Sequence, residues 1–206
     1  MAQKNKKISL GFTQQEFEPG VHICQIFGSD EEREDALLNF LLSGIQGGER
    51  TSCFSEIVDE ELLTEFFEKN NLNFKDFKTS GTFTLSGTRD VYYEGGRFDP
   101  ERMLDILTQY YEDALEQNYP GARVIGEMTA DVQDIPGGSQ LLEYEAKVSL
   151  LQKTHPVTAV CQYDARSFEG GMIMDILKVH PYMVVRGSVV HNPFFIPPEE
   201  YLAQID

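Results

Sequence analysis

The stretch HPVTAVCQYDARSF, from His155 to Phe168, decides the fold. Pro156–Val160 is a short apolar run with β-branched residues, and it reads as a strand buried on both faces. The run breaks into Cys161, Gln162, Tyr163 and Asp164, and Ser167 reads as the cap of a following helix. In an open parallel sheet ligands bind at the carboxyl ends of the strands, so chemistry is expected at the polar end of this run. Other strands of the chain end in the same way.

Upstream, Val21–Phe27 (VHICQIF) is the first core strand, and Gly28 stops it. Ser29-Asp30-Glu31-Glu32 is a capping box that opens a helix with Ala36, Leu37, Phe40, Leu41, Gly44 and Ile45 at helical spacing. Gly47-Gly48 ends that helix. Arg50–Ser55 reads as a second strand, and Asp59 caps a helix with Leu62, Leu63, Phe66 and Phe67 facing inward. Asn70–Lys78 reads as irregular and polar. Thr82–Leu85 is a third strand, followed by a loop from Ser86 to Phe98 rich in glycine and aromatics. Asp99-Pro100 opens the next helix, a cap with proline at the first helical position. Ala122–Met128 is a fourth strand, and Pro136-Gly137-Gly138 leads to a helix from Ser139 to about Lys153. Downstream of the opening strand come a helix over Ser167–Val179 and then Tyr182–Val185 and Ser188–Val190, an antiparallel hairpin. This alternation predicts an α/β fold: a single three-layer domain, with a mostly parallel central sheet, helices on both faces and a hairpin near the C-terminus. Residues 1–9 are expected to form a disordered basic tail, and 10–206 one domain.

The chain has 34 acidic and 17 basic residues, a net charge of −17. Three of the bases (Lys4, Lys6 and Lys7) fall in the first seven residues, leaving 14 against 34, or −20, for the rest. That balance argues against a nucleic-acid surface, which needs a basic patch, and against an anionic membrane face. Cys24, Cys53 and Cys161 are odd in number and widely spaced, so neither a disulfide framework nor a zinc knuckle is expected. The N-terminal stretch has no apolar signal core, and no run approaches the length of a membrane span. A cytoplasmic location is the expectation.

Nucleotide-binding α/β proteins place a glycine-rich phosphate loop after their first strand. Here that turn is FGSDEERE, with one glycine, no lysine and three acids at a helix start, where carboxylates take the place that phosphate would occupy. Neither GxxxxGK[ST] nor GxGxxG occurs. Nucleotide hydrolysis is not expected, and the sequence calls for no cofactor.

His22 and Cys24 alternate onto one face of the first strand, as do Cys161 and Tyr163 on the fifth. His22, Cys24 and Cys161 together suit a soft metal or a thiol sensor. The plainer reading, preferred on residue type alone, is buried thiols acting as small hydrophobes and a satisfied core histidine. Glu127 shares a strand face with Arg123, and the pair suits an ion pair or a ligand contact equally. Glu145 lies on the apolar stripe of its helix, where an unpaired acid is costly, and Arg123 is its expected partner. Asp164 and His180 suit a polar turn and a helix stop. Tyr92, Tyr93 and Phe98 suit either packing on the sheet, the plainer reading, or an aromatic lid over an apolar ligand.

The blocks GVHICQIF, YEGGRFDPERM, PGARVIGEMT, LLEYEAKV, PVTAVCQYDARSF, HPYMVVRG and NPFF, in this order, resemble the MEDS domain. This is the sensory domain of methanogens and methylotrophs, named after the regulator of dichloromethane dehalogenation. The resemblance runs from about Leu10 to Pro197. It implies a RecA/KaiC-like α/β domain without its phosphate loop and a role in sensing small hydrocarbon derivatives. Such domains commonly sit beside helix-turn-helix, PAS or histidine-kinase modules; here the domain uses up the 206 residues, so a stand-alone sensor is expected. The family's block after GEMT often carries a Trp; this chain has none and reads Ala130-Asp131 there.

The resulting expectation is a non-catalytic sensory domain that binds a small organic molecule and signals to a separate regulatory protein. Direct contact with nucleic acid or membrane is not expected, and a homo-oligomer is compatible. The ligand would lie at the carboxyl ends of the strands under a mobile Tyr92, Tyr93 and Phe98. Arg123, Glu127 and Glu145 would frame it, with His22, Cys24, Cys161, Tyr163, Asp164 and His180 as the remaining binding positions. The alternatives are a degenerate nucleotide binder without hydrolysis and a metal or thiol site built on His22, Cys24 and Cys161.

Overall fold

In a computed structural model describing residues 7–205, the Pro156–Phe168 region becomes β7 (Thr158–Asp164), which lies near the middle of a seven-stranded sheet. The other strands of that sheet are β3 (His22–Phe27), β4 (Arg50–Phe54), β5 (Phe83–Ser86), β6 (Ala122–Met128), β8 (Tyr182–Val185) and β9 (Ser188–His191). They are ordered β5-β4-β6-β7-β3-β8-β9, all parallel except β9, which closes an antiparallel hairpin with β8. The α/β class and the C-terminal hairpin read from the sequence are both present.

Because side chains alternate across a strand, each central strand feeds two cores. On one face Ile23, Cys53, Ile125 and Val160 pack against α1 (Asp30–Gly47), α2 (Glu60–Lys69) and α3 (Phe74–Ser80). On the other, Cys24, Phe54, Val124, Ala159 and Tyr163 pack against α5 (Pro100–Glu116), α6 (Leu141–Leu151) and α7 (Gly170–Val179). A short α4 (Thr88–Tyr92) and a terminal α8 (Pro198–Leu202) complete the helices.

Several local expectations change. Asn70–Lys78 is not irregular throughout, since Asn73 caps α3 by accepting from the Lys75 amide. The loop after β5 holds α4, and α7 starts at Gly170 rather than at Ser167, whose backbone instead closes a turn onto Asp164. Of the expected basic tail, residues 1–6 lie outside the described residues. Ile8–Ser9 is a strand, β1, paired with β2 (Glu16–Phe17).

The expected pairing of Arg123 with Glu145 is overturned by the sheet's two-sidedness. Arg123 points to the α1 face, where its guanidinium pairs with Glu49, donates to Phe40 O (3.1 Å), Ser43 Oγ (2.8 Å) and Ser9 O (3.1 Å), and lies 4.8 Å over the Phe40 ring. Gly44 makes room for it: a Cβ there would come within 2.5 Å of Arg123 Cδ. Glu145, on α6, belongs to the opposite face. Removing one partner of a buried ion pair strands the other charge. Glu49→Gln is therefore expected to lower unfolding stability by about 3 kcal/mol in urea denaturation. A loss no larger than that of an exposed Glu→Gln control would show that Glu49 does not compensate Arg123.

Candidate functional site

Under α6, on the face of the sheet away from α1, four side chains converge: His22 from β3, Cys161 from β7, Glu145 from α6 and His180 from the turn between α7 and β8. Parallel pairing sets the register, placing His22 opposite Ala159 and Cys24 opposite Cys161, so His22 and Cys161 come from adjacent strands one step apart on the same face. His180 follows the last residue of α7 and enters just before β8, the neighbour of β3 on its other side. Glu145 descends from the buried stripe of α6, which also holds Leu141, Tyr144 and Val148.

His22 Nε2 lies 3.2 Å from Glu145 Oε2 and 3.4 Å from Cys161 Sγ. Cys161 Sγ is 3.7 Å from the same Oε2, and His180 Nε2 is 3.5 Å from it. The two imidazole rings are 4.3 Å apart. Each ring is oriented from behind. His180 Nδ1 is 2.8 Å from Ile176 O, which can only accept, so Nδ1 carries hydrogen and Nε2 faces the cluster. His22 Nδ1 contacts Ser149 Oγ at 3.0 Å, and that hydroxyl donates to Val179 O, leaving its oxygen to accept from the ring. Tyr163 donates its hydroxyl to Glu145 Oε1 at 2.6 Å. His180 Nε2 is buried and has no hydrogen-bond partner.

His22, Glu145 and His180 are each about 99–100 % buried, whereas Cys161 keeps partial exposure. Burial would push the Glu145 carboxyl up, but the contacts with His180 and His22 outweigh it and hold the group below the usual carboxylate range. Burial and the neighbouring His180 lower His22 to about 4, against the raising pull of Glu145. Burial, then the Glu145 charge, pushes the Cys161 thiol well up. Among the described residues, Glu145 has ion-pair contacts with His22 and His180 and with no lysine or arginine. The cluster is a buried carboxylate that accepts from Tyr163 and Cys161 and faces the Nε2 atoms of two imidazoles.

The other expected binding positions divide. Tyr163 joins the cluster through Glu145. Cys24 does not: its thiol turns to Tyr182 O at 3.6 Å, and burial raises it to about 12. Arg123 and Glu127 lie across the sheet, Glu127 accepting from Ser55 (3.2 Å) with the Arg33 guanidinium 3.8 Å away. The expected frame of Arg123, Glu127 and Glu145 is thus split by the strand. Tyr92, Tyr93 and Phe98 do not form a mobile cover, because all three are core residues: Tyr92 stacks on Phe98, and the Tyr93 hydroxyl meets Thr129 at 2.9 Å. Asp164 stands apart at the carboxyl end of β7, clamped to Arg166, which also reaches Asp30. The cluster sits beside the amino and middle portions of β3 and β7, not at the strand ends where the ligand was expected. Ser149 escaped the sequence reading, although it lies four residues after Glu145 and so on the same face of its helix. The buried Arg33, Gln25 and Gln162 were also missed; they lie across the sheet near the start of α1.

The turn after β3 is closed by its own side chains. Ser29 Oγ caps α1 by accepting from the Glu32 amide, and Glu32 Oε2 accepts from the Gly28 amide. Two amides of the turn are thus taken by the chain's own serine and glutamate side chains.

A profile of the MEDS domain (MEthanogen/methylotroph, DcmR Sensory domain) matches residues 21–181, most of the chain. The chain belongs to the MEDS family. The transcriptional repressor DcmR of Methylorubrum extorquens is 24 % identical over 166 residues, covering 77 % of this chain and 57 % of the repressor. The match thus spans little more than half of that relative. Two solved structures share the fold. A KaiC-like protein of Pyrococcus horikoshii superposes with TM-score 0.59 at 12 % identity, covering 86 % of this chain and 79 % of the other. The flagellar accessory protein FlaH of Methanocaldococcus jannaschii gives 0.60 at 10 %, covering 89 % and 83 %. At these identities the likeness establishes a KaiC/RecA-like architecture.

The two shifts within this MEDS domain cluster have the same sign in pH. His22 binds its proton less tightly folded than unfolded, so the stability it confers is full above about pH 6.5 and lost as pH falls towards about 4. Glu145 is also held down, and its contribution is lost further into acid. In chelator-treated protein, stability should drop by about 3 kcal/mol between pH 6.5 and 4 on account of His22. The slope should flatten in His22→Asn. An identical slope in the variant would remove His22 as the source.

Proposed function

We propose that this MEDS domain detects a small organic molecule, a hydrocarbon or methylated-compound derivative, and passes its state to a separate regulatory protein. The reading is carried by the buried His22–Glu145–Cys161–His180 cluster, set in an apolar and aromatic core layer that includes Cys24, Tyr144, Tyr163, Phe168 and Ile176. A wall of that kind suits an apolar ligand with one point of polar recognition. The family's sensory description and the relative's printed role as a transcriptional repressor support a regulatory rather than a catalytic task. No helix among the described residues is long and apolar enough to cross a membrane. The acidic surface is a poor match for nucleic acid, so DNA would be reached through another chain or module.

The KaiC-like architecture supports one competing reading, nucleotide binding without hydrolysis, with the self-capped acidic turn against it. Sealed-cell thermal melts separate the two. Dichloromethane, methylamine and dimethyl sulfide are the probes on one side, MgATP and MgADP on the other. A stabilising ligand at a hundredfold excess over its Kd should raise Tm by about 5–10 °C in a domain of this size. The sensory reading expects that rise from an organic probe and none from nucleotide. A response to nucleotide alone would replace it with the competing reading.

A further inference from the structure

We propose that His22 Nε2, His180 Nε2, Glu145 Oε2 and Cys161 Sγ form a four-ligand site for a single zinc-class divalent metal ion. Geometry supplies the first argument. A tetrahedral ion with bonds of about 2.0–2.3 Å holds its ligands about 3.3–3.7 Å apart. Four of the six separations are 3.2, 3.4, 3.5 and 3.7 Å, and the other two, between His180 Nε2 and His22 Nε2 and between His180 Nε2 and Cys161 Sγ, are no more than 4.8 Å. Two imidazoles, a carboxylate and a thiolate are the donor types that a borderline-soft ion such as Zn2+ takes.

The surroundings supply the second. Ligating histidines are held by a partner on the far ring nitrogen, and ligating carboxylates are themselves hydrogen-bonded. Ile176 O stands behind His180, Ser149 Oγ behind His22, and the Tyr163 hydroxyl behind Glu145. His180 Nε2, fully buried and without a hydrogen-bond partner among the described residues, faces Glu145 Oε2 at 3.5 Å. Among the described residues the buried carboxylate has two imidazoles but no lysine or arginine beside it, and a bound ion would supply a permanent counter-charge. All four positions come from protein, so the site is closed in the manner of structural zinc, with partly exposed Cys161 as the side from which an ion or a displacing ligand would enter. Cys24 and Cys53 play no part. The inference goes beyond the sensory reading and stands whether or not an organic ligand binds.

Cobalt is the probe. Full-length protein, stripped with chelator and kept reduced, is titrated with Co2+ while its absorption spectrum is recorded, and Zn2+ is then used to displace it. The expected result is one Co2+ per chain, intense tetrahedral d–d bands and a thiolate-to-cobalt charge-transfer band. Cys161→Ser should abolish the charge-transfer band, and Cys24→Ser and Cys53→Ser should keep it. Ser149→Ala and Tyr163→Phe should weaken binding by about 10–100-fold without removing the band. If Cys161→Ser does not fold, persistence of the band in both other cysteine variants still assigns the sulfur. Failure of the wild-type protein to bind Co2+, an octahedral spectrum, or a charge-transfer band that survives Cys161→Ser would overturn the site. A melting response to organic probes alongside absent cobalt binding would overturn the metal and leave the sensory function intact.

Discussion

A sheet covered on both faces has no solvent to which its side chains can turn. β3, β6 and β7 are buried almost from end to end, so every polar residue on them must find its partner inside the protein. The chain meets that demand by sorting polar groups between the two layers. Towards α1, Arg123 is answered by Glu49 and by backbone oxygens, with Gly44 giving it space. Towards α6, His22 and Cys161 are answered by Glu145 and His180. The strand between them decides which residues can meet, because successive side chains face opposite layers.

That constraint explains how much of the protein was legible. The short β-branched run of β7, the apolar stripe of α1 and the Ser29 cap each follow from period and chemistry, and they appear with boundaries shifted by a few residues. Glu145 was recognisable as an acid in need of a partner. Its partner was not, because a helix residue can descend on either side of a sheet whose strand order is unknown. The order β6-β7-β3-β8 brings β3 and β8 together from opposite ends of the sequence. His22 and His180, separated by most of the chain, become neighbours only through that crossover. α3 escaped notice because its short polar sequence has little apolar period, and its stability rests on the Asn73 cap and on Phe74 in the core.

The carboxyl ends of β3 and β7 lie side by side at the start of α1. Here Glu32 accepts from Gly28, and Arg166 joins Asp30 to Asp164, so the edge is tied together by its own side chains. The Asp30–Arg166 contact is exposed and contributes little to stability. Its consequence is occupancy: an incoming phosphate would meet three acids at the helix start.

Stability alone does not account for the interior group. The layer around it is already a continuous apolar core, and replacing a buried polar cluster with apolar residues of similar volume is commonly neutral or stabilising. A cluster kept for folding would also be satisfied throughout, yet among the described residues His180 Nε2 makes no hydrogen bond, with Glu145 Oε2 3.5 Å away, and Glu145 has no lysine or arginine beside it. What the chain does maintain is orientation: a carbonyl, a hydroxyl and a phenol each hold one ligand from behind. Three supports that aim three side chains at one point are what a ligand set requires, because a ligating atom must be held in orientation from behind.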